Sequence, residues 1–132
     1  MRELNFALEP YSDDLVQEMR PLWNAHDAET RQLGMTLDPD LDVYEQMSSA
    51  GAIRIFTARN EKVLVGYQIF VVTHHPHRRT SLEATQDILW MSPQERKGFS
   101  AIRFIRWCDQ WLEKEGVKVI AHPIDADHNF GP

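Results

Sequence analysis

The chain has one cysteine, Cys108, and that alone removes two classes of small protein. No intrachain disulfide can form, and no zinc site can be built from cysteine ligands. A lone thiol fits a reducing compartment, so a cytoplasmic location is expected. Long apolar runs are missing as well. Nothing approaches the ~20 residues of a membrane span, and Met1-Arg2-Glu3 is not followed by the apolar core of a signal peptide. Internal repeats, low-complexity tracts and linkers rich in Pro, Gly or Ser are also absent. One domain is therefore expected for the 132 residues. A basic excess is lacking too: Lys and Arg number 14 against 20 Asp and Glu, a net charge of −6. Binding to nucleic acid through phosphate neutralisation is disfavoured accordingly.

What is present is a folded composition, 42% apolar and 26% charged. The charge is unevenly placed. Residues 1–51 carry 3 basic and 11 acidic residues, whereas residues 52–132 carry 11 basic and 9 acidic. Such asymmetry fits either two differently solvated faces or two unlike partners.

Leu4, Phe6 and Leu8 alternate as in a strand that Pro10-Tyr11 ends. Ser12 followed by Asp13 and Asp14 is a helix start, and Leu15, Met19, Leu22 and Trp23 continue it as a stripe. Pro21 is expected to break or kink that helix, and Gly34 to end the region. Asp38-Pro39-Asp40-Leu41 opens a short helix with Leu41, Tyr44 and Met47 at helical spacing, closing near Gly51. The period then changes to two. Strands are expected over 53–59, 63–72 and about 81–91, the first two joined by the turn Asn60-Glu61-Lys62. His74-His75-Pro76-His77-Arg78-Arg79 reads as a loop. Ala101, Phe104, Ile105, Cys108 and Leu112 form the cleanest helical stripe, ending at Gly116, and residues 117–121 form a last strand. A strand, helix and strand in succession predict a right-handed parallel crossover. The whole is an α/β chain with a mixed, mainly antiparallel sheet and helices on both faces.

Three groups have plain structural readings. Trp90, Trp107 and Trp111 with Phe99 and Phe104 read as core aromatics, and Cys108 as inert packing. The histidines of the 74–77 segment, with Asp87, His122, Asp125, Asp127 and His128 as conceivable partners, lack the spacing of a metal site; no metal is expected. A substrate-contacting or pH-sensitive role for that segment stays open.

The turn before the strong helix carries the chemistry. Arg96-Lys97-Gly98-Phe99-Ser100-Ala101 brings two cations and a flexible glycine to a helix N-terminus, where free amides attract phosphate. Together with Met91-Ser92-Pro93 and the order of elements, this segment resembles the GNAT N-acetyltransferase superfamily over nearly the whole chain. That family's Q/R-x-x-G-x-G/A loop holds the pyrophosphate of acetyl-CoA. Here Glu95 stands at the usual Gln/Arg position and Ser100 at the second small one, unless Arg96 is the family arginine in a loop one residue shorter. Val65-Gly66-Tyr67 and the ending Asn129-Phe130-Gly131-Pro132 are similar to members encoded by phages and prophages.

The resemblance implies one GNAT-like domain over residues 1–132. Residues 1–51 would supply the first strand and acceptor-side helices, 52–91 the antiparallel strands, and 92–132 the pyrophosphate loop, helix and last strand. It implies acetyl transfer from acetyl-CoA to an amine by direct attack. Asp87, with Glu83 on the same face of the strand, is the candidate base. Leu89, Trp90 and Met91 would contact the acyl-pantetheine, and Arg96, Lys97, Gly98, Phe99, Ser100 and Ala101 the pyrophosphate. The family's general acid, a tyrosine on a helix after the last strand, is not assigned: Gly131-Pro132 stands where that helix would begin, so either the chain is shorter than its natural product or it is a reduced relative. A small amine, a protein N-terminus or a lysine is compatible as acceptor. A catalytically inactive binding protein, or a phage virion-associated interaction protein on the same scaffold, is the alternative. A homodimer or a phage structural partner is left open, and no membrane partner is expected.

Overall fold

A computed structural model describes residues 4–31, 39–75 and 77–122. Among the described residues, five strands form one sheet in sequence order: β1 (Asn5–Glu9), β2 (Ile53–Asn60), β3 (Val63–His75), β4 (Arg78–Met91) and β5 (Val117–Ala121). The first four pair antiparallel, and β5 lies parallel to β4. Helices α1 (Asp13–Arg31) and α2 (Leu41–Ser49) precede β2, and α3 (Ser100–Glu115) makes the crossover from β4 to β5. The mixed, mainly antiparallel sheet with helices on both faces is as expected.

Local chemistry starts the helices where the sequence indicates. Ser12 Oγ accepts from the Leu15 amide at 3.1 Å, and Asp40 Oδ1 accepts from the Val43 amide at 3.2 Å. The expected break at Pro21 is absent: α1 runs through it without interruption. Pro21 is exposed, whereas Leu15, Val16 and Met19 before it and Trp23 after it are buried. Packing on both sides thus outweighs the hydrogen bond that a proline removes. The expected 74–79 loop is also shorter, because β3 continues to His75 and β4 begins at Arg78. Gly34 and residues 123–132, including Asp125, Asp127 and His128, lie outside the described residues.

Alternation along the strands sorts the core into two layers. Ile53 and Ile55 of β2, Tyr67 and Ile69 of β3, and Ile88 and Trp90 of β4 pack under α1, with Tyr44 and Met47 of α2 against them. Phe56, Ala58, Phe70, Val72 and Ala84 face the opposite way, onto Phe104, Cys108 and Leu112 of α3. Leu4, Phe6 and Leu8 join this second layer together, as their alternation predicts. Burial pushes the Cys108 thiol well above its ordinary value, which suits its reading as packing. Trp107 and Trp111 belong to the α3 layer and Trp90 to the α1 layer. Phe99 departs from the expected core: it is 71% exposed, since it caps α3 rather than sharing its buried stripe. No described helix is long and apolar enough to cross a membrane.

Candidate active site

β4 changes face part-way along. Ile69 pairs with Ile88 and the next residue, Phe70, with Gln86, so Asp87 is an extra residue in β4, a β-bulge. Before it, Ala84 faces α3; after it, Ile88 and Trp90 face α1. Asp87 itself lies on the α1/α2 side and is exposed. There the Tyr44 hydroxyl donates to Asp87 Oδ2 at 2.6 Å. Burial, then the hydrogen bond to Asp87, pushes the Tyr44 hydroxyl far above its ordinary value. Tyr44 therefore stays a donor to the carboxylate at any ordinary pH. Glu83 lies on the same face by alternation, as expected, but within the stretch of β4 that is paired on both sides, to Thr73 and to Val119.

The parallel ladder between β4 and β5 ends at Thr85 and Ala121. From Gln86 to Met91, β4 keeps β3 on one side and has no described strand on the other. The Ser92 amide donates to Val65 O at 2.8 Å, which fixes the phase of the antiparallel bonding. Counting back in twos, Trp90 and Ile88 bond to β3, while Leu89 and Met91 turn their amides and carbonyls to the open edge.

A 3-10 turn, Pro93–Arg96, leads from that edge to α3. Glu95 is buried there, so its carboxylate is withdrawn from the exposed Lys97, Gly98 and Phe99. Gly98 has φ +84°, a conformation that side-chain-bearing residues adopt at a cost. No side chain caps α3, and its first internal bond runs from the Arg103 amide to Phe99 O at 2.9 Å. The amides of Ser100, Ala101 and Ile102 therefore have no partner within the helix.

Arg96 is placed differently from its loop neighbours. Its Nε donates to Met91 O at 2.7 Å, and its Nη2 reaches Glu29 Oε1 and Oε2 of α1 at 2.9 and 3.0 Å. The guanidinium carbon lies 5.4 Å from the centre of the Trp90 ring, and Trp90 Nε1 donates to Glu29 at 3.3 Å. Nearby, His26 Nδ1 and the buried Tyr67 hydroxyl are 3.0 Å apart. Desolvation pushes the Tyr67 hydroxyl far up, with the neighbouring Tyr44 and Glu29 adding to the effect.

On the α3 face, His122 Nδ1 lies 2.7 Å from Gln86 Oε1 and its Nε2 lies 3.0 Å from Asp109 Oδ1. Gln68 Nε2 donates to the same Gln86 oxygen at 3.1 Å. Neither this network nor the Tyr44–Asp87 bond has a signature in the sequence, since each joins residues from distant segments. Among the described residues, no three His, Cys, Asp or Glu gather as metal ligands.

No protein-family model matches the chain, and no curated protein matches it in sequence. Solved structures do match. An aminoglycoside acetyltransferase from an uncultured soil metagenomic sample, in complex with sisomicin, superposes with a TM-score of 0.75 at 14% identity, covering 96% of this chain and 81% of that one. The fold is that of the GNAT acetyltransferases. A ribosomal-protein-alanine N-acetyltransferase from Brucella melitensis biovar Abortus 2308 matches with a TM-score of 0.69 at 18% identity, over 94% and 82% of the two chains. A predicted acetyltransferase from Clostridium acetobutylicum, with acetyl-CoA, matches with a TM-score of 0.66 at 10% identity, over 94% and 82%. On this GNAT scaffold, Asp87, Leu89, Met91 and residues 96–101 follow one another along the end of β4 and into α3.

Proposed function

We propose that the chain is an N-acetyltransferase that moves an acetyl group from acetyl-CoA to an amine. The observation that carries this reading is the edge of β4 beyond Thr85, which no described strand covers, continuous with the uncapped start of α3. The residues present suit acetyl-CoA. Leu89 offers its edge amide and carbonyl, and Met91 its amide, to a peptide-like pantetheine arm, with Trp90 buried behind them and the Met91 carbonyl held by Arg96. The amides of residues 100–102, the exposed Lys97 and the left-handed Gly98 suit a pyrophosphate, and the exposed Phe99 offers its ring beside them. Arg96 contributes by position, because its bonds to Met91 O and Glu29 hold the path between β4 and α3. Bound there, acetyl-CoA supplies a thioester carbonyl open to an amine.

Asp87 is the base. It stands at the bulge, exposed on the α1/α2 side, and can take the proton that an ammonium must lose before its nitrogen attacks. Tyr44 holds one of its oxygens and thereby sets the direction of the other. Glu83 is the second carboxylate of that face, further from the open edge. The acceptor is proposed to be cationic: burial first, then Glu45, Asp13 and Asp42, raise the Tyr11 hydroxyl against the opposing effect of Arg20, so acid outweighs base at this end of α1 and α2.

Calorimetric and thermal-shift titration of the full chain with acetyl-CoA tests the reading. Measurable heat and a raised Tm are expected. Neither response at saturating acetyl-CoA refutes the enzyme and leaves a binding protein on the same scaffold.

A further inference from the structure

We propose that His122 is the group that returns a proton to the sulfur when the acetyl group leaves it, an assignment that rests on the acetyl-CoA reading above. Where backbone pairing between β4 and β5 stops, at Thr85 and Ala121, the next residue of each strand continues the join through side chains. His122 Nδ1 meets Gln86 Oε1 at 2.7 Å. The ring is held from three elements: Gln86 of β4, Asp109 of α3 at 3.0 Å, and Phe70 of β3, edge to face at 5.6 Å. The side chain nevertheless remains 33% exposed. A proton donor needs this combination of fixed orientation and access.

The bulge in β4 sets His122 opposite Asp87. Gln86 and Asp87 are consecutive, yet the Gln86 side chain joins His122 on the α3 face and the Asp87 carboxylate meets Tyr44 on the α1/α2 face. A carboxylate and an imidazole therefore flank the mouth of the open edge from opposite sides. Aminolysis of a thioester has the same polarity. An amine enters with protons to lose, and a thiolate departs with one to gain. The nitrogen–carbon bond forms, the carbon–sulfur bond breaks, and its electron pair goes to sulfur, which takes a proton from the His122 ring. Of the two protons that the ammonium gives up, one reaches solvent through Asp87. The other balances the proton that water restores to His122.

Two amides, Gln86 and the buried Gln68, continue the network from the ring. Gln68 Oε1 is buried with no hydrogen-bond partner, while Gln68 Nε2 donates to Gln86 Oε1 at 3.1 Å. With Gln86 presenting its oxygen, both ring nitrogens face acceptors, and a ring bearing two N–H groups satisfies both. Turning the two amides over gives Nδ1 a donor instead and serves the ring with one N–H. The network thus has one arrangement for the ring before it releases a proton and one for the ring afterwards.

The probes are CoA and desulfo-CoA, which lacks the sulfur, added to the full chain with 15N-labelled histidine. Both are expected to bind with comparable affinity, and only CoA should move the His122 ring resonances, identified by their loss in His122→Gln. The thiol of bound CoA should ionise about one pH unit lower in the native protein than in His122→Gln, because a positive ring favours the thiolate. Should that variant not fold, Asp109→Asn keeps the imidazole, and it should move the ring resonances in the free protein and the thiol ionisation in the CoA complex. If CoA and desulfo-CoA bind but leave the ring resonances in the same place, His122 is not the donor. If neither binds, the acetyl-CoA reading itself falls, and this assignment with it.

Discussion

Replacing Arg96 distinguishes a residue that holds the protein together from one that holds a phosphate. The Arg96 side chain makes three contacts within the fold: Nε to Met91 O at 2.7 Å, Nη2 to both Glu29 oxygens, and the guanidinium over Trp90. The side chains of Arg96 and Glu29 are 41% and 42% exposed, so the ion pair is screened and contributes only about 0.2–1 kcal/mol. The bond to the Met91 carbonyl adds roughly 1 kcal/mol, and the guanidinium over an indole about 0.5–1 kcal/mol. Arg96→Ala is thus expected to cost about 2 kcal/mol in urea unfolding at unchanged m. Glu29→Ala should cost about 1 kcal/mol, since the buried Trp90 also loses its acceptor. In the double variant the two costs should fall short of additivity by about 0.3–1 kcal/mol, and by less in high salt. A cost below about 0.5 kcal/mol for Arg96→Ala, or costs that simply add, would refute the clamp. Loss of acetyl-CoA affinity without loss of stability would instead make Arg96 a ligand of the pyrophosphate.

Further outcomes follow from the same geometry. Asp87→Asn should lower kcat for amine acetylation by about 10²-fold or more with little change in acetyl-CoA affinity, and Tyr44→Phe should lower it less; an affinity loss as large as the rate loss would remove Asp87 from the chemistry. Gly66→Ala should cost about 1–3 kcal/mol by chemical denaturation and weaken acetyl-CoA binding, because a Cβ there would stand 3.2 Å from Trp90 O and 3.3 Å from Met91 Cε; the sulfur side chain can yield but the strand cannot, and unchanged binding would show the open edge to be insensitive to this contact. Acid should unfold the chain through Glu9 and Glu18. Their hydrogen bonds to Arg59 hold both carboxyls below the ordinary value of 4.5, against the opposing effect of burial. That stabilisation is complete above about pH 4.5 and is lost as pH falls through the depressed folded values. Arg59→Met should therefore be less stable at pH 7 and lose less on acidification, so that the two stability curves converge; parallel curves would contradict the assignment.

The fold was legible because its signals are local. Leu4, Phe6 and Leu8 alternate within one strand, and Ala101, Phe104, Cys108 and Leu112 repeat within one helix. Pro21 and Phe99 misled for a related reason: a proline's effect on a helix and an aromatic's burial are decided by what the rest of the chain packs around them. The proposed site was legible only where it is continuous in sequence, along residues 87–91 and 96–101. The Tyr44–Asp87 pair spans 43 residues, the Arg96–Glu29 pair 67, and the His122–Gln86 pair 36. Nothing in residue type or spacing joins such partners in a single sequence.

The bulge explains why both parts of the site fall at one place. Strict alternation from Ala84, which faces α3, would turn residues 86, 88 and 90 to α3 as well. Ile88 and Trp90 would then leave the α1 layer, and Leu89 and Met91 would turn from the α3 layer into it. One extra residue resolves the conflict: Gln86 keeps the α3 face, Ile88 takes the α1 face, and Asp87 is left outside the regular pairing. The bulge also bends and twists the strand locally. The ladder to β5 stops within two residues of it, at Thr85. The end of the β4–β5 ladder and the exposure of Asp87 thus fall at one irregularity of β4. Deleting Asp87 to restore regular alternation should therefore abolish acetyl-CoA binding, whereas Asp87→Ala, which keeps the extra residue, should abolish only turnover. Equal affinities in the two variants would mean that the open edge does not depend on the bulge.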